Sequence, residues 1–296
     1  MNAPPPLVFC FGEILWDFLP DGLFLGGASL NAAYHLNRHA TNAQVVSAVG
    51  RDVLGDELLR RCAAWSLSTE HIARLEGVST GYVRVTVGAN GDAMFDITPD
   101  VAWDRIAVTD ATLRTAARAD AIIFGSLAQR SVANRSALDR LLAALPAGAL
   151  RVFDANLRPP YDDLALVREL ARKATLIKVN STEAARLATG GADTPGSEEA
   201  HARALAGQTG CNTIVVTAGG RGAGLLRGGH WLWEPGRPVT VVDTVGAGDS
   251  FVASLVAHLL AGKFSDKEIL AHACRLGEWV ASRSGATPAY NFSLPL

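Results

Sequence analysis

The stretch Val239-Thr240-Val241-Val242-Asp243-Thr244-Val245-Gly246-Ala247-Gly248-Asp249-Ser250-Phe251 sets a β-branched apolar run before a turn of small residues, and a segment of helical period follows at once. The pattern predicts a strand over residues 238–242, a turn and a helix. Small residues let the amides of Gly246, Ala247 and Gly248 approach an oxyanion, and the positive end of the helix dipole adds attraction for phosphate. Asp249 is out of place beside such a site, because a carboxylate repels an anion. Two readings remain open for it: a helix cap, or a general base toward an attacking hydroxyl.

Working outward, strand-like runs at residues 7–11, 44–49, 121–124, 151–153, 176–179 and 213–217 alternate with helical periods at 29–39, 52–65, 110–118, 132–144, 163–173, 182–188 and 199–208. This βαβ rhythm predicts one α/β domain over the 296 residues, with a mostly parallel sheet covered by helices on both faces. Residues 12–25 and 81–97 break the rhythm, reading as short strands without a crossover helix. In the second, Tyr82, Arg84 and Thr86 alternate with Val83, Val85 and Val87 ahead of a turn at residues 88–92. Together they predict a small separate β-sheet, either a lid over a cleft or a surface meander.

Composition narrows the partners. With 27 Lys+Arg against 29 Asp+Glu, a net charge of −2 and no basic run, the chain lacks the electrostatic footprint of nucleic-acid or anionic-membrane binding. Small molecules are the expected partners. Cys10, Cys62, Cys211 and Cys274 form no CxxC pair, and the histidines show no metal-ligand spacing, so a reduced, cytoplasmic setting is expected. Residues 1–20 have no basic n-region and are interrupted by Glu13 and Asp17, and the longest apolar run, residues 251–261, is too short to span a membrane.

The string D-T-x-G-A-G-D-x-F resembles the signature of the ribokinase-like, or PfkB, carbohydrate kinases. Near the N-terminus, Gly26-Gly27-Ala28-Ser29-Leu30-Asn31-Ala32-Ala33-Tyr34-His35-Leu36 resembles that family's G-G-x-x-x-N-x-A-x-x-L element, and Val49-Gly50-Arg51-Asp52-x-x-Gly55 continues it. Ala40 departs from the pattern, standing where the family usually has glycine. Gly12-Glu13-x-x-x-Asp17, Asp154-Ala155-Asn156-Leu157-Arg158, Asn180-Ser181-Thr182-Glu183 and Val216-Thr217-x-Gly219-x-x-Gly222 follow in family order, so the resemblance covers nearly the whole chain.

It implies a ribokinase-like fold and an ATP-dependent sugar kinase. Asp249 would be the base and the amides of residues 246–248 an anion hole. Asp17, Gly27 and Asn31 would bind sugar hydroxyls. Arg158 would face the transferred phosphate or pair with Asp162 or Asp163. Asn180, Thr217, Gly219 and Gly222 would lie on the nucleotide side, with small residues of the segment 271–286 against the adenine. Glu183 would act on Mg²⁺ through water, or else be a solvent-facing helix carboxylate. Asp243 and the Val245 carbonyl would hold K⁺ if the protein uses one. Trp16, Trp103 and Phe95 would face the sugar or seal the cleft, with sealing expected for two of the three. A homodimer through the lid is a further expectation.

Other α/β readings fail on glycine spacing, since neither G-x-G-x-x-G after the first strand nor G-x-x-x-x-G-K-[ST] occurs. The runs Gly12-Glu13-x-x-x-Asp17, Gly125-Ser126-Leu127-Ala128-Gln129-Arg130 and Asp154-Ala155-Asn156-Leu157-Arg158 look most like bacterial fructokinases. Leu15 and the Ala28-Ser29 pair stand where a ribokinase-type opening differs. Fructose is the expected acceptor, with ribose, 2-keto-3-deoxygluconate, a nucleoside or a non-catalytic sugar-binding role as alternatives.

Overall fold

The computed structural model describes residues 4–19, 22–87 and 93–290. Strand β1 (Leu7–Phe11) is apolar throughout and buried from Val8 onward, as a strand covered on both faces must be. Parallel to it on either side run β4 (Asn42–Gly50) and β8 (Ala121–Gly125). The parallel sheet continues beyond β4 with β5 (Ile72–Leu75), and beyond β8 with β9 (Leu150–Asp154), β10 (Leu176–Asn180) and β11 (Thr213–Thr217). An antiparallel hairpin, β12 (Gly222–Arg227) and β13 (His230–Pro235), closes the far edge.

Helices α1 (Ala28–Arg38), α2 (Val53–Ala64), α8 (Ala247–Ala261) and α9 (Asp266–Ala281) pack on one face through Leu30, Leu36, Leu58 and Leu255. On the other face α3 (Asp110–Ala116), α4 (Val132–Ala144), α5 (Leu164–Arg172), α6 (Ser181–Thr189) and α7 (Glu198–Thr209) bury Leu138, Leu141, Leu170 and Leu205. The chain leaves β1 toward β4 and later returns to lay β8 on the opposite side. That reversal opens a crevice at the carboxyl ends of β1 and β8, the place where open α/β sheets bind ligands.

The interrupting stretches form the separate sheet expected of them: β2 (Leu15–Leu19), β3 (Gly22–Gly26), β6 (Tyr82–Val87) and β7 (Ala93–Ile97), in the order β3-β2-β6-β7. At its base Trp16 and Trp103 are fully buried, Trp16 Nε1 donating to the Leu54 carbonyl at 3.0 Å. Both tryptophans seal. The Phe95 side chain and the 88–92 turn lie outside the described residues. Trp103 sits so close to Gly81 that a Cβ there would lie 2.1 Å from its indole nitrogen, and the Arg130 guanidinium stacks over it at 4.0 Å while pairing with Asp104 at 2.7 Å. Arg130 of the fructokinase-like run therefore braces the base of the small sheet.

One expected element is absent. Residues 238–242 are not a strand, because their polar groups go elsewhere: the amides of Val242 and Asp243 both donate to the Ala281 carbonyl, at 2.9 and 3.2 Å, and so satisfy the C-terminal end of α9. Val239, Val241 and Val242 consequently stay exposed. Ala40 adopts a left-handed φ of 54°, the conformation that a glycine would take without strain.

Among the described residues no helix is long and apolar enough to cross a membrane. The four cysteines are free and buried.

The 50–55 stretch has a clear physical meaning. Asp52 caps α2 by accepting from the Gly55 amide at 2.7 Å, and the same carboxylate accepts from the Thr80 amide and hydroxyl, each at 2.7 Å. Thr80 Oγ1 in turn accepts from the Gly50 amide at 3.0 Å. This network ties the end of β4 to the strand entering the lid. Asp52→Ala should lower stability by roughly 1–3 kcal/mol, through the lost cap and the unpaired Thr80 donors. The bonds from Thr80, Gly55 and Leu54 outweigh burial and hold the Asp52 carboxyl below its ordinary value. Its contribution should thus be complete at neutral pH and vanish as pH falls through the depressed pKa. Chemical denaturation of wild type and variant at neutral and acidic pH checks both the size and the sign.

Candidate active site

At the crevice between β1 and β8 lies a recess lined among others by Glu13, Ser126, Asp154, Asn156 and Asp249. Gly27 initiates α1 at φ 102°, and a Cβ there would lie 2.4 Å from the Glu13 carbonyl. Glycine is therefore required for α1 to begin against the end of β1. Ser29 Oγ donates to the same carbonyl at 2.5 Å, and the Ala28 amide donates to Glu13 Oε1 at 3.2 Å. One turn on, buried Asn31 donates through Nδ2 to Asp249 Oδ2 at 2.8 Å. Its Oδ1 has no partner among the described residues.

Asp17 stands on β2 of the small sheet. Its Oδ2 lies 2.1 Å from where a Cβ on Gly26 of neighbouring β3 would sit, so the bare glycine makes room for the carboxylate. Arg158, beyond the end of β9, is exposed and makes no ion pair among the described residues. The surface pairing with Asp162 or Asp163 does not occur, because Asp162 accepts from Arg186 at 2.7 Å and Asp163 caps α5. Asn156, two residues before Arg158, holds a left-handed φ of 42°.

Gly246 is the left-handed residue that starts α8, at φ 76°, and a Cβ on it would lie 2.5 Å from that of Ala286. The segment carrying Ala286 is itself fixed, since His35 Nε2 contacts the Ala286 carbonyl at 2.9 Å and Tyr34 donates to the Pro288 carbonyl at 2.9 Å. The amides of Gly246 and Gly248 make no hydrogen bond among the described residues, whereas that of Ala247 donates to the Thr244 carbonyl at 3.3 Å. Two of the three expected anion donors are thus free and the third is engaged. Asp243 accepts from the Val245 amide at 3.0 Å and the Gly285 amide at 3.1 Å, bracing this turn from outside.

Glu183 departs from the solvent-facing alternative. It is 4% exposed and forms a reciprocal capping box with Asn180, whose amide donates to Glu183 Oε2 at 2.8 Å, while Oε1 accepts from the Leu157 amide at 2.8 Å. Thr217 ends β11 beside Asn180 in register. Gly219, at φ 56°, has open space around it, whereas Gly222 is required by packing, since a Cβ there would lie 2.1 Å from the Glu234 carbonyl. In the 271–286 segment Ala273 is buried in the core, while Arg275 and Arg283 face solvent and Glu278 pairs with Arg237 at 3.0 Å.

Burial dominates the acids of this site. It pushes Asp249 up to about 6, aided by Asp154 and opposed by Asn31, Lys178 and Arg158. Burial likewise raises Glu13 to about 7 and Asp17 to about 6, with Arg158 lowering both and Asp249 raising both. Such perturbed carboxylates in a cleft mark a functional site. In the sequence Glu13 stands out only as part of a motif, and Lys178 belongs to none of the motifs above. The signal for Lys178 is a lone cation inside the apolar run Leu176-Ile177-Lys178-Val179, which burial tolerates only when paired.

Comparison with known proteins agrees with this geometry. Residues 22–291 match the model of the pfkB family carbohydrate kinases. Fructokinase-2 of Oryza sativa subsp. japonica is 30% identical, with 97% of this chain and 91% of the relative covered. Among solved structures, fructokinase with bound ATP from Xylella fastidiosa superposes with a TM-score of 0.81 at 23% identity, covering 95% and 94% of the two chains. Fructokinase from Vibrio cholerae O395 in its fructose, ADP and calcium ion bound form does so with 0.82 at 22%, covering 96% of each. These structures share the fold. The chain belongs to the pfkB family of carbohydrate kinases. It is a sugar kinase with the ribokinase-like arrangement of a large, mostly parallel sheet and a smaller separate one.

Gly246→Ala should cost at least about 1–2 kcal/mol from the left-handed backbone alone, before any displacement of Ala286. Gly220→Ala, at a position with open space and no positive φ, should change little. Thermal melts of the two variants beside wild type test the contrast.

Proposed function

We propose that the protein transfers the γ-phosphoryl group of ATP to a primary hydroxyl of fructose. The observation that carries this reading is Asp249, a carboxylate at the floor of the recess beside the two free amides of Gly246 and Gly248. Placed there, Asp249 accepts the proton of the attacking hydroxyl, and the amides at the positive end of α8 stabilise charge developing on the transferring phosphoryl group. Asp17, Gly27 and Asn31 orient the sugar, Asn31 through an Oδ1 that still lacks a donor. Holding the hydroxyl in line is worth as much as roughly 7 to 11 kcal/mol. Arg158, without an ion-pair partner, is placed to meet the transferred phosphate.

Asn180, Thr217 and Gly219 line the nucleotide side in this reading. Gly222 shapes the loop without touching ligand. Mg²⁺, bound with the ATP phosphates, would neutralise their charge and fix their geometry. Glu183 fits a link to that ion through water and does not fit direct ligation, since both its oxygens already accept backbone amides within a buried capping box. At Asp243 each oxygen accepts one amide and keeps a lone pair. With the Val245 carbonyl it suits K⁺. Closure of the small sheet would exclude water from the reacting phosphate.

The test is sugar-dependent ADP release with ATP and Mg²⁺ across fructose, ribose, 2-keto-3-deoxygluconate and adenosine. Fructose is expected to give the highest kcat/KM. Another acceptor would overturn the substrate, and no turnover on any would favour a binding-only protein. Asp249→Asn should lower kcat by roughly 10²–10⁴-fold with little change in KM. A base must be unprotonated, so wild-type kcat/KM should fall as pH drops below an apparent value near 6, the value to which burial raises Asp249. Unchanged kcat in the variant would remove the base assignment.

The edge strands of the small sheet, β3 and β7, also carry unpaired backbone groups, and Phe18 on β2 is 37% exposed. Mutual covering of two such sheets gives a homodimer. Light scattering at micromolar concentration should report twice the chain mass; a monomer would contradict it.

A further inference from the structure

Lys178 stands mid-strand in β10 between core residues Ile177 and Val179, and is itself 6% exposed. A buried ammonium is tolerated only when its charge is met. Its Nζ donates to both carboxylate oxygens of Asp154, at the end of neighbouring β9, at 3.0 and 3.3 Å. The same Nζ lies 3.1 Å from the position a Cβ on Gly248 would take. The ammonium therefore fills the space beneath the first turn of α8. A side chain on Gly248 would crowd this ammonium. None of the roles assigned above uses this pair.

We propose that Lys178, fixed by Asp154, is a positioning residue for phosphoryl transfer: its ammonium underlies the Gly246–Gly248 turn and acts electrostatically on Asp249 and on the charge that gathers at that turn. The proposal rests on the reading of Asp249 as the base. Charged groups reach Asp249 from every surrounding element: Glu13 after β1, Asp17 on β2, Asp154 on β9, Arg158 beyond it and Lys178 on β10. Asn31 of α1 adds a donor, Glu183 of α6 acts on Lys178, and Asp243 before α8 acts on Asp17. Two of these groups are cations. Arg158 is exposed and unpaired, so Lys178 is the one held in place. Burial alone would discharge it, and the carboxylates of Asp154, Glu183 and Asp249 outweigh burial and keep its pKa above the ordinary lysine value.

The pair makes a prediction of opposite signs. Titration of Asp249 by carboxyl-carbon NMR, assigned with Asp249→Asn, should move down by about one unit in Asp154→Asn and up by about one unit in Lys178→Met, with the double variant between them. The acid limb of kcat/KM should follow the same directions. A merely structural role would give loss of stability without opposed shifts. Asp154→Asn preserves the shape of the site, so its downward shift tests the proposal even where Lys178→Met is too unstable to purify. Shifts of like sign, or none, overturn it. Opposed NMR shifts with an unmoved rate profile would instead overturn the base reading on which it stands.

Discussion

The hydrogen bond from Asn31 to Asp249 joins side chains 218 positions apart in the chain, and the site depends on it. It requires α1 and α8 to bring their first turns together over the carboxyl ends of the strands. Each helix begins at a glycine with positive φ, Gly27 at 102° and Gly246 at 76°. At each, the space a Cβ would need is taken, by the Glu13 carbonyl in one case and Ala286 in the other. The two glycines are thus steric conditions for one contact, and that contact holds a carboxylate in the first turn of α8.

The surrounding charges explain how such a carboxylate is useful. Glu13, Asp17 and Asp249 are all raised mainly by burial, to about 7, 6 and 6, which brings these acids toward neutral pH. Brønsted behaviour favours a base poised there. Arg158 counters all three from outside and Lys178 counters Asp249 from beneath, so the protonation of Asp249 is set by a balance of neighbours. The lid adds a further acid through Asp17, which joins the others only because β2 leaves the end of β1 directly. The Asp52–Thr80 network anchors the opposite lid strand to the same large sheet.

Much of this was legible in the chain. The βαβ rhythm gave the parallel sheet, and the two interrupting stretches gave the small one, because both signals come from local periodicity. Glycines 27 and 246 could be flagged as turns, while the reason for each, a specific neighbour across the fold, could not. The Val239 to Val242 run misled because β-branched residues read as strand, yet it ends with the Val242 amide, like that of Asp243 after it, bonded to the end of α9, and none of the described strands pairs with it. Glu183 could be read as acting on Mg²⁺ through water or as a solvent-facing helix carboxylate, and the buried capping box with Asn180 turns it away from solvent. Lys178 shows as a lone cation in an apolar run, but its role does not, because its partner lies on the next strand and its steric neighbour, Gly248, 70 residues away. Charge constellations assembled across strand ends leave no spacing in the sequence.

The most direct test of the account is a crystal structure with fructose and a non-hydrolysable ATP analogue bound together. The account places one primary hydroxyl of the sugar within hydrogen-bond reach of Asp249, about 2.6–3.2 Å, with the γ-phosphate against the amides of Gly246 and Gly248. A sugar bound with no hydroxyl near Asp249, or a nucleotide whose phosphates lie away from the start of α8, would contradict it.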